Sequence, residues 1–138
     1  MSRCYLTRHG AGPFENELFE KPYSGIADLT NIHNEFQGSL RFGYLDFDLL
    51  CFEINKDLKN LVLPANVNVT FTCLDQVGAE VKYLQDNEVR TVKSNEFLNM
   101  AWSILSARID GLYGICATCG LTRDDIIVYE QNKTVAYA

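Results

Sequence analysis

The sequence of 138 residues has little proline, little positive charge and no long apolar run, and each shortage excludes a class of protein. Three prolines and nine glycines are too few for a collagen-like or low-complexity chain. Twelve lysines and arginines against 18 aspartates and glutamates give a net charge of −6, which disfavours nucleic acids and anionic lipid surfaces as partners. Because no segment approaches the roughly 20 apolar residues that span a membrane, we predict no membrane partner.

Cysteine is present, but its number and positions argue against a disulfide scaffold. The five cysteines are odd in number and lie mostly in apolar, strand-like runs, as in proteins of a reducing compartment. The first residues lack the apolar segment of a secretory signal, so we expect a cytoplasmic protein. The spacing of Cys116 and Cys119 fits a redox pair or half of a zinc site, but no second closely spaced pair completes such a site. We therefore predict no metal site and leave a redox role of this pair open.

The pattern of apolar residues indicates one domain, 1–138, with a mixed α/β (α+β) fold. Period-2 alternation predicts strands over 3–7, 67–73, 80–84, 88–92, 112–118 and 125–129. Helical spacing predicts two helices, the first over 45–61 with Asp46 as its N-cap and the second over 94–108 with Ser94 as its N-cap. Residues 14–43 show no regular period and are predicted to form a long irregular loop, a kind of segment that often carries function.

One candidate motif is Arg8-His9-Gly10 at the end of the first predicted strand. A strand that runs into Arg-His-Gly resembles the histidine phosphatase superfamily, in which the motif histidine takes the phosphoryl group and the arginine holds its oxygens. That chemistry needs a second histidine that converges on the phosphate. His33 is the one other histidine, and no histidine follows it where that family places its second. The phosphatase alternative therefore lacks a necessary part.

A longer resemblance takes in two blocks. Residues 7–17 read Thr-Arg-His-Gly-Ala-Gly-Pro-Phe-Glu-Asn-Glu, and residues 33–46 read His-Asn-Glu-Phe-Gln-Gly-Ser-Leu-Arg-Phe-Gly-Tyr-Leu-Asp. In this order and separation they resemble adenylosuccinate synthetase, above all its archaeal and bacteriophage branches. Two shorter blocks follow in the family's order, Thr-Cys-Leu-Asp at 72–75 and Thr-Cys-Gly-Leu-Thr-Arg at 118–123. The resemblance covers nearly the whole chain and corresponds to the C-terminal part of a complete synthetase.

The resemblance implies two sets of binding residues. A substrate-binding set lies in the first two blocks, where the loop 37–41 would close over aspartate carboxylates and the turn 10–13 would face the nucleotide ribose: Arg8, Gly10, Gly12, Gln37, Gly38, Ser39 and Arg41. A base-binding set lies in the other two blocks: Asp75, Thr118 and Gly120. Cys73 replaces the family's lysine and Leu121 its proline, so the nucleotide stays open among IMP, dGMP, GTP and ATP.

The family's Gly-rich phosphate loop and its catalytic aspartate and histidine have no counterpart in these 138 residues. The resemblance therefore implies no catalytic residue, no tightly bound cofactor, and Mg²⁺ only where a complementing chain supplies the missing parts. We expect a protein of purine-nucleotide metabolism that is inactive alone and acts as one half of a split or truncated synthetase. Its expected ligands are a purine nucleotide and aspartate, and its expected partner is a complementing or host synthetase chain. The alternative is a catalytically dead module that binds a purine nucleotide or regulates a synthetase; a homo-oligomer stays open.

Overall fold

The computed structural model describes residues 1–27, 31–130 and 133–136. Its α-helices are α1 (Phe47–Lys59) and α2 (Phe97–Arg108). Its strands, in chain order, are β1 (Ser2–Arg3), β2 (Tyr5–Arg8), β3 (Glu17–Leu18), β4 (Arg41–Asp46), β5 (Val67–Thr72), β6 (Glu80–Gln85), β7 (Glu88–Lys93), β8 (Leu112–Thr118), β9 (Ile126–Glu130) and β10 (Lys133–Ala136). Short 3₁₀ turns lie at Leu74–Gln76, Ser94–Glu96 and Arg123–Asp125.

One sheet has the strand order β1-β5-β8-β9-β10. β1, β5 and β8 run parallel, whereas β9 is antiparallel to both β8 and β10. Arg3 lies beside Thr72, and Phe71 lies beside Ala117, so the carboxyl ends of the three parallel strands meet at one end of the sheet. In open α/β sheets that end is where ligands commonly bind.

The second sheet has the order β2-β4-β6-β7, and β3 also pairs with β4. β2 is antiparallel to β4, with Arg8 directly opposite Arg41. β6 runs parallel to β4 and turns back into β7 through Asp86 and Asn87, both of which have left-handed backbone conformations. The second sheet therefore places two arginines side by side on neighbouring strands, which like-charge repulsion disfavours unless a counter-charge is near.

One hydrophobic core joins both sheets and both helices. A row of aromatic rings runs through it, with ring centroids 5.5 Å apart for Phe47 and Tyr83, 6.1 Å for Phe47 and Phe71, and 5.0 Å for Phe71 and Phe97. Tilted and edge-on pairs at this spacing add to the stabilisation that burial provides. β1 leads directly into β2, so the two sheets are joined at this point of the chain. The one core packs against both of them there.

The mixed α/β prediction is confirmed, and several elements lie where the sequence places them. α1 begins after Asp46, whose carboxylate accepts a hydrogen bond from the Leu49 backbone N–H at 2.9 Å, as the predicted N-cap should. The predicted hairpin is present as β6 and β7. Neither α-helix in the described ranges is long and apolar enough to cross a membrane.

Several elements differ from the prediction. The predicted strand 3–7 is two strands, β1 and β2, which belong to different sheets. Residues 41–46 form β4, although the sequence predicts a loop to residue 43 and a helix from 45. α2 begins at Phe97 rather than at Ser94, because the Ser94 hydroxyl donates to the Gly78 carbonyl at 2.6 Å and caps no helix. β10 follows β9 beyond the last predicted strand.

Candidate functional site

The first two sequence blocks are brought together at the end of β2 and the start of β4. The Gly10 N–H donates to the Gln37 carbonyl at 3.1 Å, across 26 intervening residues. Asn34 and Gly38 close a tight turn through two backbone hydrogen bonds of 3.2 and 2.8 Å. We call the predicted substrate-binding set, Arg8, Gly10, Gly12, Gln37, Gly38, Ser39 and Arg41, the arginine site.

Arg41 holds this site together. Its guanidinium pairs with both carboxylate oxygens of Glu17, from Nε at 2.7 Å and from Nη2 at 2.5 Å. Its Nη1 donates to the carbonyls of Gly10 at 3.0 Å and Gly12 at 2.9 Å. Four of the five N–H donors of a guanidinium are thereby used within the protein. Arg41 therefore fixes the turn 10–12, and a ligand carboxylate would have to replace Glu17 to pair with it in the same bidentate way.

Glu17 was not predicted as a site residue. Hydrogen bonding to the Arg41 guanidinium lowers the pKa of its carboxyl below the ordinary glutamate value, and the same contact raises the pKa of Arg41. The pair spans 24 positions of sequence, so no local pattern links the two residues. The one signal in the sequence is that Glu17 is the last residue of the first block, 7–17.

Arg8 has a different environment from Arg41. Its guanidinium lies against Gly12, where a β-carbon would come within 2.5 Å of Nη2. Gly12 has φ +130°, a conformation that favours glycine in its own right. The Arg8 side chain is exposed and makes no hydrogen bond or ion pair with any described residue. It is therefore a positioned cation whose donors are available to a ligand.

The two histidines lie in the same blocks with different contacts. Nδ1 of His33 and Oγ of Ser39 are 3.1 Å apart, so the predicted contact residue Ser39 already has a hydrogen-bonding neighbour in the exposed loop. Both ring nitrogens of His9 are buried and lack a hydrogen-bond partner among the described residues. Buried polar atoms in this state are uncommon in folded proteins. No arrangement of His9 and His33 around a common point appears in these contacts.

The third and fourth blocks meet at the carboxyl ends of β5 and β8. Asp75 lies in the 3₁₀ turn that follows β5, and that turn contacts β8, whose last residue is Thr118. We call Asp75, Thr118 and Gly120 the Asp75 site. The Asp75 carboxylate is exposed and accepts no hydrogen bond from the described residues. It is thus free to accept hydrogen bonds from a ligand.

Two neighbouring residues position the Asp75 turn: Tyr5 contacts it, and Cys73 directly precedes it. The Tyr5 hydroxyl donates to Oε1 of Gln76 at 2.6 Å, and burial raises the pKa of Tyr5 to about 12. Cys73 has φ +65°, an uncommon backbone conformation for a residue with a side chain. Such conformations persist where the surroundings enforce them, which is frequent at functional sites. The Arg3 guanidinium lies 5.8 Å from the Tyr5 ring centre, so a cation is also near this end of the sheet.

Gly120 has a structural reason to be glycine. A β-carbon at this position would collide with the carboxylate of Asp125. That carboxylate accepts hydrogen bonds from the Thr122 N–H at 2.9 Å and the Thr122 hydroxyl at 2.7 Å, which lowers the pKa of Asp125. The Thr118 hydroxyl makes no hydrogen bond with the described side chains or backbone. The hydrogen bonds from Thr122 to Asp125 therefore order the loop after β8, and the Thr118 hydroxyl remains available to a ligand.

The cysteine side chains have individual contacts rather than a common one. All five cysteines are free thiols, with Cys4 and Cys51 buried and the other three half-buried. Cys116 lies 3.3 Å from the Thr70 hydroxyl, and the Cys119 thiol donates to the Asp125 carbonyl at 3.1 Å. Within the described ranges, no three His, Cys, Asp or Glu side chains come together in a way that could hold a metal ion.

The fold and its contacts define the class as a mixed α/β protein with two polar sites. One site lies at the end of β2, and the other lies at the carboxyl ends of β5 and β8. Comparison with known proteins adds no family to this class. The chain matches no protein-family model, and a search of curated proteins finds no significantly similar sequence.

Proposed function

We propose that the chain is the purine-nucleotide- and aspartate-binding part of an adenylosuccinate-synthetase-like ligase. One observation carries the proposal: the four resembling blocks, dispersed over 7–123, come together as two pairs in the fold. Gly10 bonds to Gln37, and the Asp75 turn contacts the strand that ends at Thr118. A chance match of short motifs would have no reason to pair in this way.

In this proposal Asp75 recognises the base. An ionised carboxylate is an acceptor only, so it suits the N–H groups of a purine that carries them at N1 or on an exocyclic nitrogen. The Thr118 hydroxyl and the backbone at Gly120 form the other side of the pocket. Half-buried Cys73 stands where the family has lysine, so base stacking by a long side chain is lost and IMP, dGMP, GTP and ATP are all candidates.

Aspartate binds at the arginine site in this proposal. Arg8 and Ser39 supply donors for its carboxylates, with backbone from Gly10, Gly12, Gln37 and Gly38 around them. Arg41 either releases Glu17 and pairs with a carboxylate of aspartate, or it keeps its present contacts and holds the turn in place while Arg8 binds the aspartate. The segment 3–8 links the two sites, because Arg3 lies beside Thr72, just before the Asp75 turn, and Arg8 belongs to the arginine site.

The chain is inactive alone in this proposal, because none of its 138 residues forms a Gly-rich phosphate loop. The missing parts come from a complementing or host synthetase chain in the cytoplasm. Support comes from the apolar side chains exposed on α1 and the segment after it, Phe52 at 63%, Leu61 at 51%, Val62 at 97% and Leu63 at 76%. Contiguous exposed apolar surface commonly marks a protein interface. This feature favours the half enzyme over a self-contained, catalytically dead module.

Isothermal titration of the purified chain with IMP, dGMP, GTP and ATP, each with and without aspartate, tests the proposal. We expect saturable binding of at least one nucleotide, weakened about tenfold or more by Asp75→Asn, because hydrogen bonds to charged groups are strong. Asp124→Asn, which removes a nearby exposed carboxylate, should leave affinity unchanged. Binding to none of the four, or equal loss in both variants, would contradict the proposed base site.

An activity assay separates the two forms of the proposal. The chain alone should make no adenylosuccinate from IMP, aspartate and a nucleoside triphosphate, and a complementing synthetase chain should restore the reaction. Nucleotide binding without any restored activity would instead indicate the catalytically dead module. Turnover by the chain alone would overturn both forms.

A further inference from the structure

A groove beside Arg8 has features of a separate ligand site. It has a volume of about 390 Å³ and lies between β2, the segment 13–15 and the first turn of α1. Its walls include the apolar side chains of Leu6, Pro13, Phe14 and Leu49. This volume is within the range of small-molecule sites, although near its lower end.

Two of these walls are held in place before any ligand arrives. The Phe14 ring lies against the backbone of Gly43, where a β-carbon would be 3.1 Å from the ring, and the Arg41 guanidinium covers it 5.5 Å from the ring centre. Leu49 is in the capped first turn of α1 and remains 43% exposed. Binding to a preformed apolar surface costs less conformational entropy than binding to a mobile one.

The charged groups of the groove are Arg8 and Glu15, and neither is paired. They form no ion pair with each other or with any other described residue. Arg8 is nevertheless positioned, because its guanidinium lies against Gly12 and Arg41 fixes the carbonyls of Gly10 and Gly12. The groove therefore offers one cation and one anion, separated by more than ion-pair distance, over an apolar floor.

We propose that this groove binds an α-amino acid with a large apolar side chain. Its carboxylate would pair with Arg8, its ammonium group with Glu15, and its side chain would contact Leu6, Phe14 and Leu49. Guanidinium suits carboxylate because it can donate two parallel hydrogen bonds. A nucleoside phosphate fits less well, because it has no cationic group to pair with Glu15.

The site uses Arg41 as a positioning residue and Arg8 as the group that contacts the ligand. The groove shares Arg8 with the proposed aspartate site, so the apolar amino acid and aspartate would compete for that cation. It is independent of the proposed base site, since Asp75, Thr118 and Gly120 do not line the groove. Asp75→Asn should therefore leave amino-acid binding unchanged while it weakens nucleotide binding. Failure of one proposal can then be told from failure of the other.

Titration of the whole chain with L-phenylalanine, followed by amide chemical shifts, tests the site. We expect saturable shifts at 6–8, 14–15 and 49 below about 10 mM ligand, and we expect Arg8→Gln to weaken the binding about tenfold. Arg123→Gln changes an exposed arginine outside the groove and should leave the affinity unaltered. A thermal melt of each variant checks that the fold is retained.

One ligand analogue and one further variant test the role of charge. 3-Phenylpropionate lacks the ammonium group, so it should bind more weakly than phenylalanine, and Glu15→Gln should weaken phenylalanine but not 3-phenylpropionate. No saturable binding, an affinity insensitive to Arg8→Gln, or equal response of both compounds to Glu15→Gln would each overturn the proposal. Tighter binding of AMP than of phenylalanine in the groove would also overturn it.

Discussion

The arginine site and the Asp75 site are ordered by different forces. At the arginine site the fixed contacts are hydrogen bonds among exposed or half-buried polar groups, with Arg41 bonded to Glu17, Gly10 and Gly12. At the Asp75 site the turn is anchored by apolar residues on either side of Asp75, Leu74 at 9% exposure and Val77 at 5%. One site depends on charge, and the other on burial.

The difference affects how each site can meet a ligand. Arg41 already has a carboxylate partner, so an acidic ligand there competes with Glu17. Asp75 has no such partner and is held on a buried turn, so it needs no exchange before it binds. Polar networks at the surface also respond to pH and salt, whereas an apolar anchor does not. The predictions below use these contrasts.

The largest expected effect is that of Leu74→Ala. Loss of a buried leucine side chain should lower the free energy of unfolding by about 2–4 kcal/mol and weaken nucleotide binding, because the Asp75 turn loses its anchor. Leu121→Ala makes the same change at a leucine that is fully exposed in the loop after β8, and should have little effect. Chemical denaturation of both variants measures the difference. Equal stability of the two would contradict the role assigned to burial.

A smaller effect should distinguish the two cross-strand arginines. Arg41→Gln removes the contacts to Glu17 and the turn, so we expect a melting temperature lower by several degrees. Arg8→Gln removes an unpaired cation opposite Arg41 and should leave the melting temperature unchanged or slightly raised, because like charges on paired strands repel. Thermal melts in low salt provide the comparison. A larger decrease in melting temperature for Arg8→Gln than for Arg41→Gln would contradict the absence of stabilising contacts at the Arg8 side chain.

The smallest effect concerns pH. The folded-state pKa of Glu17 lies below its ordinary value of 4.5, because Arg41 hydrogen-bonds to the charged carboxylate. Its contribution is therefore present above that ordinary value and is lost as pH falls through the lower folded-state pKa. Melts of the wild type and Glu17→Gln should differ at pH 7 and converge in acid. A gap that widens as the pH falls would contradict the Glu17–Arg41 pairing.

Local signals predicted much of the fold. Asp46 as an N-cap, the hairpin around Asp86 and Asn87, and the alternation that gives β5 are each encoded within a few neighbouring residues. β5 pairs with β8, which is distant in the sequence, but each of the two strands also has its own local strand-like sequence pattern. These elements could be predicted because tertiary contacts agree with their intrinsic preferences.

The missed features depend on distant partners. β4 contains Arg41 and Gly43, residues that do not indicate a strand, and it forms because β2, β3 and β6 pair with it. Gly43 is buried under the Phe14 ring, a contact across 28 intervening residues. Likewise, the sequence named Arg41 as a ligand contact but could not show that Glu17 already occupies its guanidinium.

Amide chemical-shift mapping of the chain with each of IMP, dGMP, GTP and ATP tests the central claim most directly. We predict that at least one nucleotide gives its largest shifts at 73–77 and 118–122, the two segments that form the Asp75 site, and that Asp75→Asn raises the concentration needed for them about tenfold or more. Shifts confined to other regions, or no shifts with any of the four at a concentration that saturates a weak site of about 1 mM Kd, would contradict this claim.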